Sequence, residues 1–251
     1  HKSWQAVYPA LDKEYGEVGL FLGCVARLTD VVTLNSSIFV LNRLGYTVHV
    51  PSSQTCCGAL HQHSGDIETA VALRQQNESA FAGLNTIIST VSGCGVQLAE
   101  GHNDTSIKTK DLSVIDVSKF LVIANGWEGV EILPLPQKIA VHDPCTLRNG
   151  LRDEAYPYQL ISRIPGVQVV PLPGNDQCCG AAGTYFMDQP KLASRLLDAK
   201  IAAVMDSEVR YLVTSNVGCS MHIANGLFDK MEGVEVLHPV TLLARQMGFN
   251  L

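Results

Sequence analysis

The stretch Cys178-Cys179-Gly180-Ala181-Ala182-Gly183 has an earlier echo at Cys56-Cys57-Gly58-Ala59, and the whole chain is organised around that repetition. Adjacent cysteines send their side chains in different directions, so neither a strand nor a helix gains much from the pair. A glycine directly behind them marks a tight turn where sulfur and backbone approach something closely. The eight cysteines fall into two sets built on this doublet: Cys24, Cys56, Cys57 and Cys94, then Cys145, Cys178, Cys179 and Cys219. Cys56 follows Cys24 by 32 residues and Cys178 follows Cys145 by 33; Cys94 follows Cys57 by 37 and Cys219 follows Cys179 by 40. The spacing predicts one four-thiol site, duplicated.

The segments between the cysteines predict the scaffold. In the first part, short apolar runs at 18–22, 46–50 and 86–91 read as buried strands. They alternate with helical spacing at 29–44, which Gly45 stops, and at 65–83. A further helix is expected after Cys94. Residues 101–113 turn polar, and 116–124 read as a helix. Leu133-Pro134-Leu135-Pro136 is a stiff linker that separates the halves. Beyond it the pattern repeats, with strands at 138–142, 167–172, 211–214 and 234–237. Helices are expected at 153–164, 190–205, 221–231 and 240–246; Pro190 near a helix start removes no needed N–H.

The expected fold is therefore α/β: two pseudo-repeated halves, each a small parallel sheet flanked by helices, with cysteines at the carboxyl ends of strands. Residues 1–16 read as an N-terminal arm or linker, 17–132 as the first half and 137–251 as the second. Ligands in such sheets bind beyond the carboxyl ends of the strands. Helix N-termini placed there lower thiol pKa and favour an anionic group.

Composition limits the function. A hydrophobic fraction of 46% against 17% charged residues describes a chain with ample core, unlike small disulfide-stapled scaffolds. A net charge of −6 argues against nucleic-acid binding. No run is long enough to span a membrane, and no signal peptide is evident, so a reducing cytoplasm is expected, with any membrane association through partners. The chain begins at His1 without Met, so residues before it are expected to be missing.

Four thiols per site fit an iron–sulfur cluster or a tetrahedral zinc, with buried structural thiols as the plain alternative. Ligands spread one, two and one over separate strand ends suit a bulky cluster better than a zinc knuckle. His222, three residues after Cys219, is the catalytic candidate, as ligand or proton donor. Its plainer reading is a hydrogen-bonded polar residue. His142 is a candidate donor to cluster sulfur, or a packed strand end. His61 and His63 follow the first doublet, where loop histidines are usually solvated. Gly58 and Gly180 are expected to let backbone N–H groups close on the cofactor; the loops lack a dinucleotide fingerprint.

Four stretches carry a family resemblance: Ser92-Gly93-Cys94-Gly95, His142-Asp143-Pro144-Cys145-Thr146-Leu147, Cys178-Cys179-Gly180-Ala181-Ala182-Gly183-Thr184-Tyr185 and Gly218-Cys219-Ser220-Met221-His222. They resemble the cysteine-rich CCG-domain proteins, which include the B and D components of heterodisulfide reductase and the iron–sulfur subunits of glycolate oxidase and lactate-utilisation complexes. The glycolate oxidase-like branch is the nearest in character. The resemblance implies one or two [4Fe-4S] clusters on the eight cysteines. Gln97 and His222 stand where the family's fifth cysteines would be, which favours four-thiolate clusters and leaves the non-cubane form as the alternative.

The implied role is an electron-transfer subunit between an FAD-containing dehydrogenase, acting on a 2-hydroxy acid such as glycolate or lactate, and another acceptor. A ferredoxin-like iron–sulfur partner would supply the C-x-x-C-x-x-C runs that this chain lacks. Two alternatives stay open: a catalytic (hetero)disulfide reductase subunit, and a zinc-stapled interaction module.

Overall fold

The computed structural model describes residues 4–101, 112–228, 230 and 233–250. Backbone proximity divides the chain into two units, His1–Glu131 and Ile132–Asn250.

The first unit holds a five-stranded sheet of order β1-β3-β2-β4-β5. Its strands are β1 Val7–Tyr8, β2 Gly16–Phe21, β3 Tyr46–His49, β4 Thr86–Ser89 and β5 Ser113–Asp116. All run parallel except β1, which pairs antiparallel with β3 through Val7 against His49 and Tyr8 against Val48. The stretch expected to be an arm thus contributes an edge strand. Two residues are too few to show a period, so no pattern marks them. β2 is buried without interruption from Val18 to Phe21, as a central parallel strand covered on both faces must be.

The helices of this unit are α1 Ala26–Thr29, α2 Val31–Arg43, α3 Ala59–Ser64, α4 Ile67–Ala80, α5 Ser92–Gly101 and α6 Val117–Ile123. The single helix expected at 29–44 starts later, because the backbone of Asp30 is non-helical and parts α1 from α2. Gly45, at φ 85°, ends α2 where a Cβ would meet the Lys13 carbonyl. Asp66 caps α4 by accepting the Thr69 N–H. Most of the polar stretch at 101–113 lies outside the described residues; its last residue begins β5, a strand that the sequence pattern does not predict.

The second unit holds a fully parallel sheet of order β7-β6-β8-β9, with β6 Lys138–His142, β7 Gln168–Pro171, β8 Tyr211–Thr214 and β9 Glu235–Leu237. A π-helical turn, Thr146–Leu151, follows β6, and α7 Ala155–Ile161, α8 Tyr185–Asp188, α9 Pro190–Ser207, α10 Val217–Leu227 and α11 Pro239–Gln246 complete the unit. The helix expected at 221–231 has its predicted end, 231, outside the described residues.

Without β1, the two sheets have the same topology, with β2, β3, β4 and β5 matching β6, β7, β8 and β9. In each, the first and third strands are neighbours and the chain leaves them toward opposite sides. That is the switch point where open α/β sheets form a crevice beyond their carboxyl ends.

Candidate metal centre

The cysteines occupy that crevice at matched positions. Cys24 lies three residues beyond β2 and Cys145 three beyond β6; Cys56 and Cys178 lie seven beyond β3 and β7; Cys94 and Cys219 lie five beyond β4 and β8. The sequence pattern places Cys94 and Cys219 ahead of their helices. They sit instead inside the first turns of α5 and α10, whose backbone N–H groups have no partner within the helix.

Each set is a row of sulfurs. Cys24 and Cys56 are 3.4 Å apart. Cys56 is hydrogen-bonded to Cys57, and Cys57 in turn to Cys94. The second set repeats this as Cys145–Cys178–Cys179–Cys219. Among the described residues no three His, Cys, Asp or Glu side chains close around a single ion-sized point. All eight cysteines are free of disulfides.

Within each doublet the first cysteine is half-buried and the second joins the core: Cys57 packs with Phe21, Phe81, Ile87 and Leu98, and Cys179 with Ala140, Ile201 and Leu212. Of each doublet, the first cysteine is the one whose pKa is lowered. Hydrogen bonds with Cys24 and Cys57, then the Gly58 N–H at 3.5 Å, hold Cys56 down to about 2. Cys178 falls to about 2 by the same means, through Cys145, Cys179 and the Gly180 N–H at 3.3 Å. The flanking thiols are pushed up, first by those shared hydrogen bonds and then by burial.

Gly58 and Gly180 have left-handed backbones, φ 86° and 90°. Their missing side chains answer to a helix as well as to sulfur. A Cβ on Gly58 would meet the Ala70 Cα and carbonyl oxygen at 3.2 Å, and one on Gly180 the Ala193 carbonyl oxygen at 2.7 Å. The sequence assigns these glycines to cofactor approach alone; the close packing of α4 and α9 on the doublet is the added reason.

Several polar groups without a sequence signature fix the loops. Gln54 accepts from the Leu22 N–H at 2.7 Å and donates to the Leu20 carbonyl at 3.2 Å, clamping the end of β2. Asn175 makes the same clamp on β6, accepting from the Asp143 N–H at 3.2 Å and donating to the Val141 carbonyl at 2.8 Å. Asn77, on α4, accepts from the Thr55 N–H at 2.8 Å and donates to the Cys56 carbonyl at 2.9 Å. Lys200, on α9, donates to the Gly174 carbonyl. Asn216 caps α10, accepting from the Gly218 and Cys219 N–H groups and so fixing the Cys219 turn. The one sequence signal for Lys200 is its place seven residues after the buried Ala193, two turns along the same face.

His142 is 2% exposed, its Nδ1 lies 2.9 Å from Thr214 Oγ1, and its Nε2 has no partner. Burial, reinforced by Lys200 and Arg148, lowers its pKa to about 3, so the ring is neutral. His222 is half-buried, its ring 5.9 Å from that of Phe186, and its Nε2 is also unpartnered. Burial lowers its pKa, against the Ala193 carbonyl and the Cys178 thiolate, which raise it. His61 pairs with Asp66 at 3.1 Å on the surface and adds a favourable charge toward Cys56. His63 is exposed.

The donor set fits a thiolate-ligated group: four sulfurs in a row, one with its pKa lowered and bonded by a glycine N–H, with helix first turns beside them. Comparison with known proteins agrees. A family model described as "CCG: Cysteine-rich domain" matches residues 18–99 and again 139–224. The chain is 31% identical over 254 residues to a probable glycolate oxidase iron-sulfur subunit of Bacillus subtilis, covering 96% of this chain and 57% of the relative. It is 30% identical over 229 residues to a fumarate reductase (CoM/CoB) component of Methanothermobacter marburgensis, covering 90% and 45% respectively. Lactate utilization protein A of Bacillus velezensis is 28% identical over 235 residues, covering 90% of this chain and 98% of that protein. The chain thus spans about half the length of the first two.

Proposed function

Given that the chain belongs to the cysteine-rich CCG domain family, we propose that it is an iron–sulfur redox subunit of an oxidoreductase complex. Cys24, Cys56, Cys57 and Cys94 hold one [4Fe-4S] cluster, and Cys145, Cys178, Cys179 and Cys219 hold another. The two cluster-binding halves are 17–132 and 137–251. A single observation carries the reading: the same four thiols recur at the same offsets from matched strands, each set with a glycine N–H on the sulfur of its doublet's first cysteine. When bound, such clusters supply one-electron transfer, at potentials set by charge, hydrogen bonds and burial.

The chain's own residues do the rest. Helix first turns and loop N–H groups stabilise the anionic sulfurs, and the apolar packing around Cys57 and Cys179 keeps water from one side of each site. His142 Nε2, buried and without a partner, is a donor toward the second cluster. Free thiols throughout suit a reducing cytoplasm. Relatives named for glycolate oxidase and lactate utilisation support a partner that oxidises a 2-hydroxy acid; we further assign that partner FAD as its cofactor and a ferredoxin-like module as an additional link.

A second reading has one observation in its favour. His222 leaves an unpartnered Nε2 beside Phe186, on the helix that carries Cys219, and this is where a substrate at the second cluster would need a proton donor. In that case the chain itself reduces a disulfide.

Iron and acid-labile sulfide analysis of anaerobically purified protein, with EPR, tests both readings. About four irons and four sulfides per site, with a signal that responds to dithionite, are expected. Zinc without sulfide overturns the proposal in favour of a metal-stapled interaction module. Disulfide reductase activity of the isolated chain would move the reading to the second.

A further inference from the structure

The two thiol rows match; the residues behind them do not. Asn77 and Lys200 occupy the same place in the repeat, each seven residues along its helix from the alanine whose backbone faces the doublet glycine. Both are nearly inaccessible, at 1% and 2% exposure, and both donate to a carbonyl of the loop that carries the doublet. One is a neutral amide and the other an ammonium. Burial lowers the pKa of Lys200, and both cysteines of its doublet, Cys179 and then Cys178, act on its charge in the opposite sense.

One other substitution within the repeat bears on the same site: His142, with an unpartnered ring nitrogen, stands where the first unit has Phe21. Arg148, which holds the Asn175 and Asp176 carbonyls of the second doublet loop, is matched by Arg27, three residues after Cys24, and so does not distinguish the units. Asp176, the acid that acts on Lys200, is exposed and therefore screened.

Resting on the iron–sulfur reading, we infer that Lys200 is a positioning residue that sets the second cluster at a higher reduction potential than the first. The second site is then the more readily reduced of the two. Reduction adds one negative charge to a cluster. A cation fixed in a low-dielectric interior stabilises that added charge far more than a surface cation does, and a neutral amide in the same place does not. Lys200 does not touch the reacting atoms; it acts through the field at Cys178 and Cys179.

The test is an EPR-monitored potentiometric titration of the intact chain, with iron counted in every sample. The forms compared are the unsubstituted protein, Lys200→Asn, Lys200→Gln and Lys200→Arg. Two reductive waves are expected in the unsubstituted protein. In the two neutral variants the higher wave moves to lower potential with iron content kept, while in Lys200→Arg it stays near its original position. The lower wave is unmoved in all four. Waves that do not move in the neutral variants, or that move together, overturn the inference while leaving the iron–sulfur reading intact. Loss of half the iron in both neutral variants makes Lys200 a structural prop and overturns it too. Absence of iron and sulfide from the unsubstituted chain is the distinct result that removes the underlying reading.

Discussion

The first unit sets its four thiols against Phe21, Leu22, Gln54 and Asn77, with Arg27 three residues after Cys24 and His61 beyond its doublet. The second sets the same four thiols among His142, Asp143, Asn175 and Lys200, with Arg148 on the adjoining loop. The strands that deliver the sulfurs, the left-handed glycine after each doublet and the thiolate it stabilises are held in common. Duplication has kept what makes a site and varied what tunes one. A ligand set depends on strand ends and one turn, and any change there breaks it. The buried positions one layer out accept either a neutral or a charged side chain, provided each finds a hydrogen-bond partner.

The largest expected effect breaks the symmetry at the glycines. Both have positive φ, so an L side chain costs about 1–2 kcal/mol in either unit before any contact is considered. The contacts then differ. At Gly58 the nearest atoms lie at 3.2 Å, a distance that small shifts of α4 relieve; at Gly180 a carbonyl oxygen lies at 2.7 Å, and α9 must move. Overpacking of that kind adds roughly 1–3 kcal/mol. Gly180→Ala is therefore expected to destabilise by about 4 kcal/mol and Gly58→Ala by about 2 kcal/mol. Urea denaturation of the reduced, metal-free protein measures both. Equal losses would mean that the α9 contact is softer than its geometry.

A smaller effect tests whether the two amide clamps are equivalent. Gln54 and Asn175 bond the same pair of backbone groups from different sequence positions. The asparagine stands three residues before its doublet and the glutamine two before, so the longer side chain compensates for the register. Alanine at either position orphans a buried N–H and a carbonyl, at about 1–3 kcal/mol. We expect similar losses near ~2 kcal/mol, and a slower, less complete cluster reconstitution in the affected half. Gln54→Asn, which cannot reach both groups, should fail to restore the clamp. If Gln54→Asn matches the unsubstituted protein in stability, the length argument is wrong.

These clamps also show where sequence reasoning stops. The duplicated site is legible because cysteine spacing is a one-dimensional signal, and the parallel sheets are legible because buried strands read as short apolar runs. Gln54, Asn77 and Asn175 are not, since an isolated amide in a loop or helix says nothing of what it bonds until the fold brings strand ends to it. Lys200 leaves a faint trace, a cation on the apolar side of an amphipathic helix, but its proximity to Cys178 and Cys179 exists only in three dimensions. β1 and β5 escape for different reasons: two residues carry no period, and Ser113–Asp116 has only two apolar residues between polar ends, directly after a polar stretch.

The last effect, absent at neutral pH, sharpens the comparison through pH. Burial, with help from Lys200 and Arg148, holds His142 neutral by lowering its pKa to about 3 from the usual 6.5. Phe21, its counterpart, does not titrate. In the unfolded chain the histidine takes up a proton below about pH 6.5. The folded state refuses that proton until far lower pH. The stability associated with a neutral His142 is therefore complete above about pH 6.5 and declines as pH falls toward 3, by at most about 1.4 kcal/mol per pH unit. His142→Phe makes the second unit resemble the first at this point and should remove that part of the slope. It also strands Thr214 Oγ1, so its absolute stability will be lower for a separate reason. The informative quantity is the difference in slope between the two proteins across roughly pH 7.5 to 4, measured by urea unfolding of the metal-free form. Parallel curves would mean that water or local opening reaches the ring in the folded state, and that the second site is no drier than the first.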